Sequence, residues 1–217
     1  EEAVALVNGL DYGLTSGLQS LDEQEQKYWK NNIQAGNLYI NRGITGAIVN
    51  RQPFGGMKLS AFGPGLKAGG PNYCLQLMNI TDKADSTTDY TTSYPKWYEK
   101  EFKHARNIQP NIRGEQNVFR YLPLKGGMVL RLFGDETVEQ VKMVQLAAKI
   151  VGTPLTISAS EDNSLISQIV GDIKKENLAA FCESIKNFER VRTISANVPD
   201  VVFEAAANCD KYIAQTA

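Results

Sequence analysis

Apolar residues Ala3, Val4, Leu6, Val7 and Leu10 recur at the three- and four-residue spacing of a single helical face, with Gly9 placed to stop the helix. Residues 14–20, LTSGLQS, follow as a short strand. Asp22 is positioned to cap a second helix through residues 23–33, with Glu25 as a capping-box partner. Gly36 ends that helix, and residues 37–41, NLYIN, read as a buried strand. This alternation of helix and strand predicts α/β layers. A glycine- and proline-rich loop comes next, and residues 73–80, YCLQLMNI, carry enough alternating apolar content for a further strand.

The pattern then lapses. Residues 81–94, TDKADSTTDYTTSY, are polar and poor in aliphatic side chains, so 81–116 reads as a linker or surface excursion. The aromatics of residues 94–102, YPKWYEKEF, are expected to dock it onto a neighbouring surface.

A second α/β pattern starts near Val118. Residues 127–133, GMVLRLF, read as a strand, and Asp135 as the cap of a helix whose Val138, Val141, Val144 and Ala148 share a face. Gly152 and Pro154 end that helix, and residues 154–160, PLTISAS, give the next strand. Leu165, Ile166, Ile169, Val170 and Ile173 mark another helix, as do Leu178, Phe181, Ile185 and Phe188. Residues 191–197, VRTISAN, form a third strand, and Pro199 sits in the first turn of a last helix. The expected organisation is therefore α/β throughout. It comprises a first segment over 1–80, a linker over 81–116 and a Rossmann-like domain over 117–217. The crossover LRLFGDETVEQ, residues 130–140, has neither GxGxxG nor a P-loop and puts two acids at the helix start. Acids there repel a pyrophosphate, so the domain reads as a Rossmann-like scaffold without a working dinucleotide site.

Composition narrows the function classes. A chain of 217 residues with formal net charge −1 and mixed signs offers no basic face for nucleic acid or anionic lipid. Cys74, Cys182 and Cys209, beside the single His104, lack the spacing of a zinc site or a disulfide framework, and imply a reducing, cytoplasmic setting. No window of about 18 apolar residues is present for a transmembrane helix. The chain opens without methionine and already inside a helical pattern, as expected of a piece of a longer protein.

The glycine-rich loop carries a resemblance. Residues 35–60, AGNLYINRGITGAIVNRQPFGGMKLS, resemble the C-terminal AGxxxxN…PFGGxKxSG pattern of the aldehyde dehydrogenase superfamily, with Gly36, Asn41, Pro53, Phe54, Gly55, Gly56, Lys58 and Ser60 at matching positions. EEAVALVNGLDYGLTSGL upstream resembles the family as well. ITGAIVNRQPFGG and GGPNY are similar to the L-glutamate γ-semialdehyde (1-pyrroline-5-carboxylate) dehydrogenases, including those within bifunctional proline utilization A proteins. RGEQNVFRYLPL, residues 113–124, and the Rossmann-like unit resemble the extra C-terminal region of the longer proteins of that type. Where the family has Ser-Gly, this chain has Ser60-Ala61, so the local turn is expected to differ.

The resemblance implies an NAD-dependent oxidation of L-glutamate γ-semialdehyde to glutamate. It places the substrate carboxylate on the backbone amides of Gly46 and Ala47 and the aliphatic part of the aldehyde against Phe54. Two adjacent amides form a small anion nest, and a phenyl ring excludes water around the aldehyde. Lys58, Ser60 and the run GPGLKAGG read as scaffold. The chemistry needs a cysteine nucleophile, an oxyanion cradle, nicotinamide and a general-base glutamate. In the family these precede the point where this sequence starts, so no catalytic residue is expected here and the fragment is expected to be inactive alone. Cys74, Cys182 and Cys209 read as small core residues and His104 as solvated. The expected partners are the missing N-terminal part of the same chain, with FAD if that part includes a proline dehydrogenase domain, and further copies of the parent in a homo-oligomer. Two other readings stay open: a non-catalytic module that assembles with or covers an active site, its YCLQLMNI strand an edge needing a partner, and an aldehyde dehydrogenase of different substrate.

Overall fold

The computed structural model describes residues 1–48, 51–61, 63–79, 89–108 and 112–215. They form two compact units. One comprises Glu1–Asn79 with Arg106–Phe119, the other Ile80–Ala105 with Arg120–Ala217.

In the first unit, α1 (Glu2–Asn8) ends at Gly9, and α2 (Glu23–Asn32) starts at Asp22, whose carboxylate accepts from the Gln24 and Glu25 amides. The capping box expected at Glu25 does not form, because its carboxylate takes the Ser20 hydroxyl instead. Strands β2 (Thr15–Leu18) and β3 (Asn37–Ile40) pair in parallel, Thr15 opposite Asn37. Two-residue pairings, β1 (Tyr12–Gly13) with β4 (Met57–Lys58) and β5 (Arg106–Asn107) with β6 (Val118–Phe119), are antiparallel. Trp29, Ile33, Ala35, Tyr39 and Pro53 are buried here, while α1 buries none of its residues, and its Leu6 and the following Leu10 are exposed. Residues 73–77, expected as a strand, are a 3-10 turn, and Cys74, expected in a buried apolar setting, is exposed.

In the second unit, β7 (Met128–Leu132), β8 (Leu155–Ala159), β9 (Ile173–Lys175), β10 (Arg190–Thr193) and β11 (Ile213–Gln215) make one all-parallel sheet in the order β11-β10-β7-β8-β9. The first strand is central; the chain winds out to one edge, returns, and winds out to the other, which is the doubly wound order. Helix α4 (Val138–Val151) buries Val141, Val144 and Ala148, and the first two pack with Leu130, Leu132 and Ile157. A second cluster unites Phe181 of α5 (Leu178–Ser184) and Val202 and Ala206 of α6 (Asp200–Asn208) with Val129 and Val191. Sequence spacing placed a helix over 165–173; instead residues 164–167 form a 3-10 turn and Ile173 begins β9. The cap of α4 is Thr137, in a capping box with Gln140, rather than Asp135.

Residues 81–116 are not a plain linker where described. Asp89 caps α3 (Tyr90–Trp97), a π turn follows over Tyr98–Phe102, and 106–107 belong to β5. Tyr94, Trp97 and Phe102 line an apolar cavity of about 340 Å³ together with Ala147 and Ile150 of α4.

Candidate functional site

The glycines of the first unit fix how its loops approach one another. A methyl group at Gly36 would stand 1.9 Å from the Gly55 carbonyl oxygen, so only glycine lets the segment Pro53–Gly56 lie against the start of β3. Asn37, 8% exposed, locks that approach: its side-chain amide donates to the Pro53 carbonyl at 2.9 Å, and its Oδ1 accepts from the Gly55 amide at 3.1 Å. Phe54 exchanges two backbone hydrogen bonds with Ala68, both at 3.0 Å. Lys67 completes the joint. Its Nζ donates to the Gly36 carbonyl at 2.6 Å, to Asn37 Oδ1 at 3.3 Å and to the Gly55 carbonyl. Burial pulls this ammonium down to about 8.

Other residues of the glycine-loop motif hold the backbone. Lys58 donates from Nζ to the Asn8 and Leu10 carbonyls, both at 2.6 Å, closing the end of α1. Asn41, at φ 56°, exchanges hydrogen bonds with Ser20 through its side-chain amide, at 2.8 and 2.9 Å. Ser60 Oγ accepts from the Gly13 amide at 3.1 Å. At the departure from the family pattern, the left-handed residue of the turn is Lys58, at φ 53°, so Ala61 bears no such strain.

The loop carrying Gly46 and Ala47 is tethered at its flanks. Tyr39, 3% exposed, donates its hydroxyl to the Gly46 carbonyl at 3.2 Å and accepts from Gln52 Nε2 at 2.6 Å. Arg42 and Arg51 converge on the Glu115 carboxylate at 3.0 and 3.5 Å, and the Arg42 guanidinium also lies 5.2 Å from the centre of the Tyr39 ring. Gly46 sits at φ +79°, and a methyl group there would meet nothing within 4 Å. Gly46 is exposed and Ala47 half-buried. Among the described residues, no protein group accepts a hydrogen bond from either amide. Phe54 is half-buried on its own clamped segment.

The remaining candidates stand apart. Cys182 is half-buried in the second unit, and burial pushes its thiol up, away from the thiolate form. Cys209 is half-buried, and His104 is exposed with Nε2 2.9 Å from Glu99 Oε1. In the second unit, the turn after β7 is occupied by the protein's own acids. The Glu136 carboxylate, on a residue 6% exposed, accepts from the Phe133 and Gly134 amides, each at 2.8 Å. Asp135 accepts from the Ala196 amide at 3.2 Å and from Asn197 Nδ2 at 3.0 Å. These contacts span the crevice between β7 and β10, where a doubly wound sheet offers a nucleotide its place. Hydrogen bonds from Ser195 and Asn197 hold the Asp135 carboxyl below the usual range, so it is a charged acid. A pyrophosphate does not fit amides already satisfied by one carboxylate and flanked by another. Lys67 and Glu115 escaped the reading of the sequence as site residues, since their partners are mostly carbonyl oxygens or residues distant in sequence.

The sequence pattern of the aldehyde dehydrogenase family matches residues 1–82. The chain is 51% identical over 72 residues to the Bifunctional protein PutA of Rhizobium meliloti, an alignment covering 33% of this chain and 6% of that protein. It is 45% identical over 73 residues to the 1-pyrroline-5-carboxylate dehydrogenase of Bacillus mycoides, covering 34% of this chain and 14% of that one. The structure of Proline Utilization A from Corynebacterium freiburgense is similar at a TM-score of 0.73 and 33% identity, over 99% of this chain and 22% of that one. The chain thus matches a small part of each relative's length, and the structural likeness takes in the second unit as well as the first.

Proposed function

We propose that this chain, whose residues 1–82 match the aldehyde dehydrogenase family pattern, is part of an NAD-dependent dehydrogenase that oxidises L-glutamate γ-semialdehyde to glutamate in proline catabolism, and that it supplies the grip on the substrate's carboxylate. The observation that carries this is the pair of adjacent amides at Gly46 and Ala47, which have no acceptor among the described residues and flank the left-handed backbone of Gly46. Such a pair accepts a carboxylate oxygen without a cationic side chain. The small side chain of Ala47 leaves that approach open, and Phe54 walls the aliphatic stretch between carboxylate and aldehyde, excluding water there. Relatives named 1-pyrroline-5-carboxylate dehydrogenase and Bifunctional protein PutA support the substrate class.

NAD, bound to the parent enzyme mostly outside these residues, supplies the hydride acceptor. The turn after β7 does not fit it, so residues 117–217 act as a Rossmann-like scaffold and 1–80 as the dehydrogenase segment. The nucleophilic cysteine and the general-base glutamate belong to the rest of the parent, a cytoplasmic homo-oligomer, which binds FAD where it also carries a proline dehydrogenase domain. The exposed Leu6 of α1 and Leu10 just beyond it, at 76% and 61%, favour docking of this segment against that remainder. The test is an assay with the semialdehyde and NAD. The purified chain turns over nothing above background, whereas the complete polypeptide produces NADH; turnover by the isolated chain, or none by the complete one, contradicts the reading.

A further inference from the structure

We propose that Lys67 is a positioning residue for the aldehyde site: its ammonium clamps residues 53–55 onto the start of β3 and so sets where the Phe54 ring stands. The inference rests on the reading of Phe54 as a wall of that site. An ammonium has three N–H bonds, and Lys67 finds three neutral oxygens, the carbonyls of Gly36 and Gly55 and the side-chain oxygen of Asn37. No carboxylate is among these partners, and burial is the whole cause of the shift in its acidity. The side chain is thus a cross-link between two backbone segments rather than half of an ion pair.

The geometry ties the clamp to Phe54 from both sides. Gly55, gripped through its carbonyl by Lys67 and through its amide by Asn37, is the next residue in the chain. Ala68, which exchanges two hydrogen bonds with Phe54, is the residue after Lys67. The backbone of 54–55 is therefore paired to 67–68 by two main-chain bonds and one side-chain bond. A methyl group at Gly55 would meet Lys67 Cγ at 3.2 Å, so the lysine stem lies directly on the segment it holds. The Gly36 carbonyl and Asn37 anchor the other end to β3, the strand that also carries Tyr39, whose hydroxyl bonds the Gly46 carbonyl. Through β3, one lysine sets the spacing between the aromatic wall and the loop of the anchoring amides.

The test uses the complete polypeptide for kinetics and this chain for amide exchange. Lys67→Met keeps the aliphatic stem and removes all three donors; Lys67→Gln, which keeps a polar head, serves if the first variant does not fold. The expected result is a KM for the semialdehyde raised about 5- to 10-fold with kcat within about twofold. The Gly55 and Ala68 amides should exchange roughly tenfold faster, with the sheet of the second unit unchanged. A merely structural lysine would lower the folded fraction, and with it apparent kcat, at constant KM; that outcome overturns the proposal. Phe54→Ala and Ala47→Leu separate the two levels of inference. If they raise KM and Lys67→Met does not, the clamp fails while the functional reading stands. If neither raises KM, the reading itself fails, and with it any role of Lys67 in substrate binding.

Discussion

Glu115 holds Arg42 at 3.0 Å from 73 residues further along the chain, and the same carboxylate reaches Arg51 at 3.5 Å. Both arginines flank the loop that carries Gly46 and Ala47. The carboxylate is a brace across the base of that loop. It is 21% exposed, so each bridge is partly screened and worth about 1 kcal/mol or less. Glu115→Gln should therefore raise the KM of the complete enzyme for the semialdehyde by roughly two- to fivefold without changing kcat, a split that steady-state kinetics reads directly.

Gly36→Ala tests the close approach behind the same site. The new methyl group would overlap the Gly55 carbonyl at 1.9 Å, with backbone on both sides and no flexible side chain to yield. The expected cost is about 3 kcal/mol, seen as a lower urea midpoint for the first unit. A midpoint unchanged from the parent chain would mean the two segments are not in contact.

Glu136→Ala should leave the Phe133 and Gly134 amides without their acceptor and destabilise the second unit by about 2–4 kcal/mol. Calorimetry of the chain should show that unit melting roughly 10 °C or more lower. Titration of the unaltered chain with NAD should give no binding heat, because a carboxylate already satisfies those amides.

The pH dependence of stability isolates Lys67. Its folded value, about 8, lies below the ordinary 10.5. Below about 8 both folded and unfolded chains carry the proton; between the two values the unfolded chain binds more protons, so stability rises with pH across that window. Lys67→Met removes this rise. The difference between the urea midpoints of the parent chain and the variant should therefore widen in favour of the parent chain from about pH 8 to about pH 10, and a constant difference would contradict the burial of the ammonium.

Much of this architecture is legible in the residues themselves. The stripe of Val141, Val144 and Ala148 announced α4, and the runs MVLRL and LTISA announced strands, because short apolar and β-branched runs between turn signals fit a buried sheet. Strand β9 escaped because two of its three residues are lysines at the edge of the sheet, and Val170, which completed an apparent helical stripe, is 85% exposed. YCLQLMNI alternates like a strand, yet Leu77 and Met78 are exposed at 79% and 61%, and a 3-10 turn forms over 73–77. At the candidate site, Gly46, Ala47 and Phe54 were marked by their motif. Asn37, Lys67 and Glu115 were not, since hydrogen bonds and ion pairs to partners distant in sequence leave no periodic trace.

The most direct measurement compares two aldehydes in the complete enzyme carrying Ala47→Leu: L-glutamate γ-semialdehyde and an aldehyde of similar length without a carboxylate. A leucine beside the paired amides should raise the KM for the semialdehyde at least about tenfold and change that for the uncharged aldehyde less than about twofold, since under the proposed function only the first would use those donors. Equal changes for both, or none for either, would contradict the anchoring of a carboxylate at Gly46 and Ala47.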